Sequence, residues 1–212
     1  MIRVGVDVGG TNTDAVVMKG QKFLGGAKRP TTEDILTGVE NAIQAALGEA
    51  KISSDSVDVL IIGTTHFVNA LVQRTKLAQT GLIRMCLPSG ASVLPFADWP
   101  ESLVNGMKGS CKLVKGGYEM DGNEISPLDK DELIDAAKEL SDLGCNQIAI
   151  SSVFATVRGD MEDEALELIS KVMPKLSITL SKSIGGMGLL ERENAAIINA
   201  SLKPLALSLI HI

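Results

Sequence analysis

The sequence predicts an α/β layered domain with a mixed sheet. Three observations carry that prediction. Apolar residues alternate through three short segments at the N-terminus, separated by tight turn signals, which gives an antiparallel meander. Beyond residue 30, helix-period segments alternate with short strand-type segments. One of these, "VDVLII" at Val57–Ile62, is almost wholly apolar and reads as a strand covered on both faces, in a parallel position. The order β-β-β-α-β-α-β-α places helices on a sheet that is antiparallel at its start and parallel afterwards.

Each element has its own warrant. Val4, Val6 and Val8 alternate with Gly5 and Asp7 in the first strand, Ala15–Met18 forms the second, and Lys22–Lys28 the third after a turn at Lys19-Gly20-Gln21. Thr31 or Thr32 is expected to cap a helix whose inner face is Ile35, Leu36, Val39, Ala42, Ile43, Ala46 and Leu47. "GTTHFVNALVQR" is a small polar turn leading into a helix, and Gln79–Leu87 a strand. Between Pro88 and Gly122 glycines are frequent and periodicity is weak; the expectation is an irregular insertion over about residues 88–125, with a hairpin near Lys112–Ile125. Asp129 and Glu132 form a capping pair for a helix with Leu133, Ile134, Ala137 and Leu140 inside. Gln147–Phe154 is a strand, Asp160 caps a helix carrying Met161, Ala165, Leu168, Ile169 and Val172, Leu176–Leu180 is a strand, and Leu189–Leu202 a helix stopped by Pro204.

Composition narrows the function. The chain has 212 residues, 45% of them apolar, and a net charge of −6 without any basic run, so a nucleic-acid surface is disfavoured. No apolar run approaches the roughly 18 residues of a membrane span, and the first residues lack a signal-peptide pattern. Three widely spaced cysteines, Cys86, Cys111 and Cys145, fit buried thiols in a reducing cytoplasm. With only His66 and His211, no His/Cys metal cage can be drawn.

The chemically loaded stretch is "IRVGVDVGGTNTDAVV", Ile2–Val17. A Gly9-Gly10 bend between two strands can present several backbone N–H groups on one side and admit a phosphate without a Cβ in the way, the glycines taking positive φ. Thr11, Asn12 and Thr13 add short donors. Asp7 precedes the bend and suits the water shell of Mg²⁺; Asp14 follows it and can serve the same shell or a substrate. An anionic ligand would be held here by amides and a metal, not by a Lys/Arg field. An ordinary Gly-Gly hairpin is the competing reading of the dipeptide alone.

This segment resembles the first phosphate-binding motif of the actin-like ATPase superfamily, and most closely the N-terminal region of the hydantoinase/oxoprolinase family. "IIGTTHFVNALVQR" (Ile61–Arg74) resembles that family's Gly-Thr-Thr segment, "DGNEISPLDKDEL" (Asp121–Leu133) its hairpin and helix start, and "GLLERENAAIINASLKPL" (Gly188–Leu205) its closing segment. The resemblance implies one actin-like ATPase (ribonuclease H-like) lobe over residues 1–205, with 206–212 a truncated or non-native tail. It implies ATP and Mg²⁺ as cofactors, and hydrolysis of a cyclic amide of hydantoin or 5-oxoproline type through phosphorylation of its carbonyl. Relatives carboxylate ketones. In this carry-over Asp7 organises Mg²⁺; Gly9, Gly10, Thr11 and Thr13 hold phosphate; Thr64 and Thr65 line the cleft. Ile62 stands where many relatives have His, and His66 either replaces it or caps its helix. No second Asp-x-Gly-Gly-Thr follows Thr13, so a C-terminal lobe, and a second subunit as a further partner, are expected from elsewhere. A sugar or acyl kinase of the same superfold and a non-catalytic binding fragment are the alternatives.

Other motifs read as structural. Glu191-Arg192-Glu193-Asn194 is expected to be solvated charge, or else to face the cleft. The acidic cluster Asp160, Glu162, Asp163 and Glu164 complements a helix dipole. Trp99 is expected to pack a loop onto the core, and Ser183–Gly188 to serve as a connector.

Overall fold

The structure, a computed structural model, describes residues 1–32 and 34–210. The chain forms two compact units, one comprising Met1–Gln73 with the stretch beginning at Leu205, the other Arg74–Pro204.

The first unit holds β1 (Ile2–Val8), β2 (Asn12–Lys19), β3 (Lys22–Pro30), α1 (Ile35–Ala50), β4 (Val59–Thr64) and α2 (His66–Gln73). Its sheet runs β3-β2-β1-β4. The first three strands are the expected antiparallel meander, and β4 lies parallel to β1, so the sheet is mixed. Period-2 alternation puts Val4, Val6, Val8, Ala15 and Val17 on one buried face, and α1 covers that face with Ile35, Val39, Ala42, Ala46 and Leu47. Gly25 permits this packing, because a Cβ there would stand 2.7 Å from the Ala50 amide nitrogen.

Two local expectations are corrected here. The cap of α1 is Asp34, whose carboxylate accepts from Thr37 N (3.3 Å) and Thr37 Oγ1 (2.6 Å), contacts that hold its pKa below the ordinary carboxylate value. Thr31 and Thr32 cannot cap because their hydroxyls bond Gly9 O and Asp34 O. The strand read at Val57–Ile62 is parallel, as expected, yet it is not covered on both faces: β4 closes the sheet, and Ile61 is 55% exposed. No further strand pairs with its outer edge among the described residues.

The second unit holds β5 (Thr80–Leu87), α3 (Glu101–Gly106), β6 (Ser110–Lys115), α4 (Lys130–Asp142), β7 (Gln147–Ser152), α5 (Asp160–Val172) and β8 (Ser177–Leu180); α6 (Leu189–Ile210) begins in it. Its four strands, ordered β6-β5-β7-β8, are all parallel. β5 and β7 are the central strands, buried on both faces; apolar residues fill most of β5 and the middle of β7, while Thr80, Arg84, Gln147, Ser151 and Ser152 are polar yet buried. Ile83, Met85, Ile148 and Ile150 pack with Leu133 and Leu140 of α4 and Ala165 and Ile169 of α5. Leu82 and Ala149 pack on the other side with Met107, Ala196 and Ile197, joined by Phe96 and Trp99. Trp99 meets Phe96 edge-on at 5.4 Å, which is the core-packing role expected of it. Asp129 caps α4 by accepting from Glu132 N at 3.1 Å, also as expected.

Several expectations fail in this unit. Lys112–Lys115 is not the first arm of a hairpin but lies in β6, a parallel partner of β5; the expected hairpin is confined to Gly117–Ile125, where the Tyr118–Glu124 bridge is flanked by Glu119 N donating to Asn123 O (2.7 Å) and Ile125 N donating to Gly117 O (2.9 Å). The cap of α5 is Gly159, and the Asp160 carboxylate instead accepts from the Tyr118 hydroxyl (2.8 Å) and Arg158 Nη2 (2.7 Å). Val172 is exposed. The last helix does not stop at Pro204: one proline removes one N–H, and with Ala200, Ser201 and Leu205 buried around it α6 continues to Ile210. The end of the expected tail, His211 and Ile212, lies outside the described residues. Cys86 and Cys145 are buried, but Cys111, on the edge strand β6, is exposed.

The charges near residue 192 are the largest departure from the solvated reading. Arg84 and Glu193 are both 0% exposed and form a two-pronged ion pair, Nε to Oε2 at 2.6 Å and Nη2 to Oε1 at 2.5 Å. Arg192 is buried too, donating to Ser181 Oγ (2.9 Å), to Ser152 O (2.6 Å) and to the carbonyls of Gly186, Met187 and Gly188. The Gly-rich connector therefore wraps a guanidinium with its carbonyls. Glu162 lies in the acidic first turn of α5, as expected, but it is also fully buried and accepts from Ser152 N (3.0 Å), Ser181 Oγ (2.6 Å) and Lys182 N (3.1 Å). Among the described residues no helix is long and apolar enough to cross a membrane.

Candidate functional site

The bend between β1 and β2 is a four-residue turn closed by Gly9 N donating to Asn12 O at 2.9 Å. A Cβ on Gly9 would stand 3.0 Å from that same oxygen, and one on Gly10 would stand 3.5 Å from Asn69 Nδ2. Neither glycine has a positive φ, so the expected left-handed geometry is corrected: the turn needs glycine for close approach, not for its dihedral freedom. A third strand end braces the turn. Thr31 N donates to Thr11 O (2.9 Å), and Thr31 Oγ1 donates to Gly9 O (2.9 Å) and meets Thr13 Oγ1 at 3.1 Å.

This arrangement sorts the sequence-derived residues. Thr13 is fully buried and its hydroxyl supports the turn from below. The Gly9 amide is already used within the turn. Gly10, Thr11 and Asn12 form its exposed tip. Asp7 is exposed and, with Asp14, lines an open hollow of about 270 Å³ whose other walls are Gly5, Val6, Val16 and Ile61. Asp7 is paired across the sheet with Asp14 on one side and with Gly63 on the other.

Thr64 Oγ1 donates to Val8 O (3.3 Å) and accepts from His66 N (3.0 Å), so it joins β1 to the start of α2. Thr64 thus offers a side-chain acceptor to the first amide of this helix. Thr65 is exposed beside it; its amide reaches Val8 O at 3.4 Å and its carbonyl accepts from Asn69 N at 2.9 Å. The motif residues of β1, β2, β4 and α2 are thus brought together around one turn.

Sequence reasoning missed Lys28 and Thr31. Lys28 Nζ lies 3.2 Å from Asp14 Oδ1, so one basic group pairs with a carboxylate that lines the hollow, although no Lys/Arg field is expected there. The available signal was the "AKRPTT" end of the third strand, whose register against β2 only the fold displays.

The chemistry of the donors fits a hard divalent cation. Carboxylate oxygens are the ligands Mg²⁺ prefers, and it commonly keeps most of its waters beside one or two carboxylates and phosphate. Among the described residues no group of three or more His, Cys, Asp or Glu could hold a metal.

The chain matches the hydantoinase/oxoprolinase N-terminal region over residues 3–173, and it belongs to that family. It is 28% identical over 218 residues to an uncharacterised protein of Methanocaldococcus jannaschii and 26% identical over 221 residues to the caprolactamase subunit alpha of Pseudomonas jessenii. It covers 31% of each of those relatives, while 96% and 95% of the chain is matched, so it spans about a third of their length. Among solved structures, nucleotide-free acetone carboxylase superposes with a TM-score of 0.75 at 19% identity, over 95% of this chain and 32% of that one. The ATP-dependent caprolactamase of P. jessenii superposes with 0.72 at 23% identity, over 99% and 32%. These likenesses establish the α/β fold.

Proposed function

We propose that this chain is the N-terminal part of an ATP-dependent enzyme that hydrolyses a cyclic amide, of hydantoin, 5-oxoproline or lactam type, after phosphorylating its carbonyl oxygen. The observation that carries the reading is the Gly9–Asn12 turn, with its tip exposed and Asp7 beside it at an open hollow. The caprolactamase relative supports the substrate class by its name, and its ATP dependence supports the cofactor.

A ring amide resists water because resonance stabilises it. Phosphate on its oxygen makes the carbon electrophilic and supplies a leaving group, so what remains for the protein is alignment and charge neutralisation. In this reading the exposed amides of Gly10 and Thr11 meet phosphate oxygens, Asn12 adds a side-chain donor, and Asp7 orients a Mg²⁺-bound water shell. Asp14 belongs to the same charged wall. Gly9 and Thr13 shape the turn rather than touch the ligand; Thr64 fixes the start of α2, and Thr65 faces the cleft. The adenine pocket, the second phosphate loop and the rest of the substrate site lie in the remaining two thirds of the longer polypeptide, a second subunit completes the enzyme, and the cytoplasm is its compartment.

The test is ATP hydrolysis by the native full-length polypeptide, measured with hydantoin, 5-oxoproline and caprolactam, and again with Asp7→Asn. Substrate-dependent release of ADP, lost in the variant, supports the proposal. ADP release coupled to a stable phosphorylated product would replace it with a kinase. The 212-residue chain alone is expected to turn over no substrate above background.

A further inference from the structure

Register puts three charges in one row. Asp7 of β1 stands opposite Asp14 of β2, and Asp14 stands opposite Lys28 of β3, all on the sheet face that α1 leaves open. Directly opposed residues are about 5 Å apart, and like charges in that position repel, so the Asp7–Asp14 pairing is unfavourable by itself. Lys28 relieves only half of it. Its ammonium is 3.2 Å from Asp14 Oδ1, whereas among the described residues no ion pair reaches Asp7. The Lys28 and Asp14 side chains are 63% and 47% exposed, and a pair that open to water adds little to stability. Its effect is on the hollow those carboxylates line.

We infer that Lys28 is a positioning residue that neutralises Asp14 and so reserves Asp7 as the one carboxylate for the nucleotide-bound cation. The inference rests on the MgATP reading above. With Lys28 in place the row carries one net negative charge, enough to orient a hydrated Mg²⁺ without repelling a polyphosphate strongly. Without the ammonium, two unscreened carboxylates share the hollow. They would attract a bare divalent cation more tightly and oppose the incoming triphosphate. A unit charge removed at about 6 Å, with an effective dielectric between those of a protein surface and bulk water, changes each affinity on the order of tenfold.

The experiment uses the native full-length polypeptide and two binding measurements: Mn²⁺ alone, by electron paramagnetic resonance of the free ion, and MgATP, by equilibrium dialysis. Lys28→Met is expected to bind Mn²⁺ about tenfold tighter and MgATP about tenfold more weakly than wild type. Lys28→Arg should match wild type. Lys28→Met combined with Asp14→Asn should return both affinities towards wild type, because the carboxylate that Lys28 had neutralised is then gone; a merely structural role for Lys28 would show no such rescue. The inference is overturned if Lys28→Met leaves both affinities within twofold of wild type, or if the double variant stays as altered as the single one. If wild type binds MgATP and Asp7→Asn abolishes it while Lys28→Met is silent, only the role of Lys28 fails. If wild type binds no MgATP, the nucleotide reading fails and takes this inference with it.

Discussion

Replacing Arg84 with Met tests how the second unit is held together. Arg84 and Glu193 are completely buried, and the guanidinium makes two bonds of 2.5 and 2.6 Å to the carboxylate while also donating to Val93 O. Met keeps most of the aliphatic volume but leaves Glu193 as a buried carboxylate without its cation. Removing one partner of such a pair costs about 3–5 kcal/mol, whereas replacing both with apolar groups is often close to neutral. For a unit of this size the single change should lower Tm by about 10–20 °C. Arg84→Met with Glu193→Leu should recover more than half of the loss. The assay is urea unfolding followed by the fluorescence of Trp99, the single tryptophan, which packs with Phe96 in the cluster that includes Ala196 and Ile197 of α6. A loss below about 1 kcal/mol in the single variant, or a double variant as unstable as the single, would refute the claim that this pair is a buried, mutually dependent one.

Other outcomes follow from particular contacts. Burial, then the bond and charge of Asp160, push the Tyr118 hydroxyl up to about 12. Its neutral form is therefore favoured in the folded state, and its share of stability is lost as pH rises from about 10, the unfolded value, through that folded value; absorbance titration of this single tyrosine should show a high folded midpoint that drops on unfolding. The carboxyls of Asp129 and Asp160 are held below their ordinary range, the first mainly by the Glu132 amide and then Lys115, the second mainly by Arg158. Such groups contribute stability above the unfolded carboxylate pKa and lose it as pH falls through the lowered folded value, so Asp129→Ala should flatten the acid limb of the unfolding curve. Gly25→Ala should destabilise the first unit by about 1–3 kcal/mol by pushing α1 off β3, read by circular dichroism.

How far the sequence reached can be argued from single residues. Val4, Val6 and Val8 revealed β1 because one face of a half-covered sheet imposes strict alternation, and the motif around Asp7 stood out as a whole Asp-x-Gly-Gly-Thr-x-Thr spanning a strand pair, not through its two glycines alone. Asp129 was legible as a cap because its partner is local, three residues on. What stayed hidden was set by partners distant in sequence. Glu193 looks solvated until Arg84, 109 residues away, is placed beside it. Glu162 reads as a helix-dipole residue alone until Ser181 and Ser152 surround it. Lys28 and Thr31 look like a polar strand end until β2 and the turn are laid alongside them. β6 was masked because a short parallel strand with lysines at both Lys112 and Lys115 has neither the apolar run of a central strand nor a turn signal of its own.

The central claim is that the Gly9–Asn12 turn and Asp7 serve phosphoryl transfer to an amide oxygen. It is tested most directly by following that oxygen. In the full-length polypeptide, turnover of a cyclic amide labelled with ¹⁸O at its carbonyl should deliver the label to the inorganic phosphate released with ADP. Label that remains wholly in the ring-opened carboxylate, with unlabelled phosphate, would contradict it.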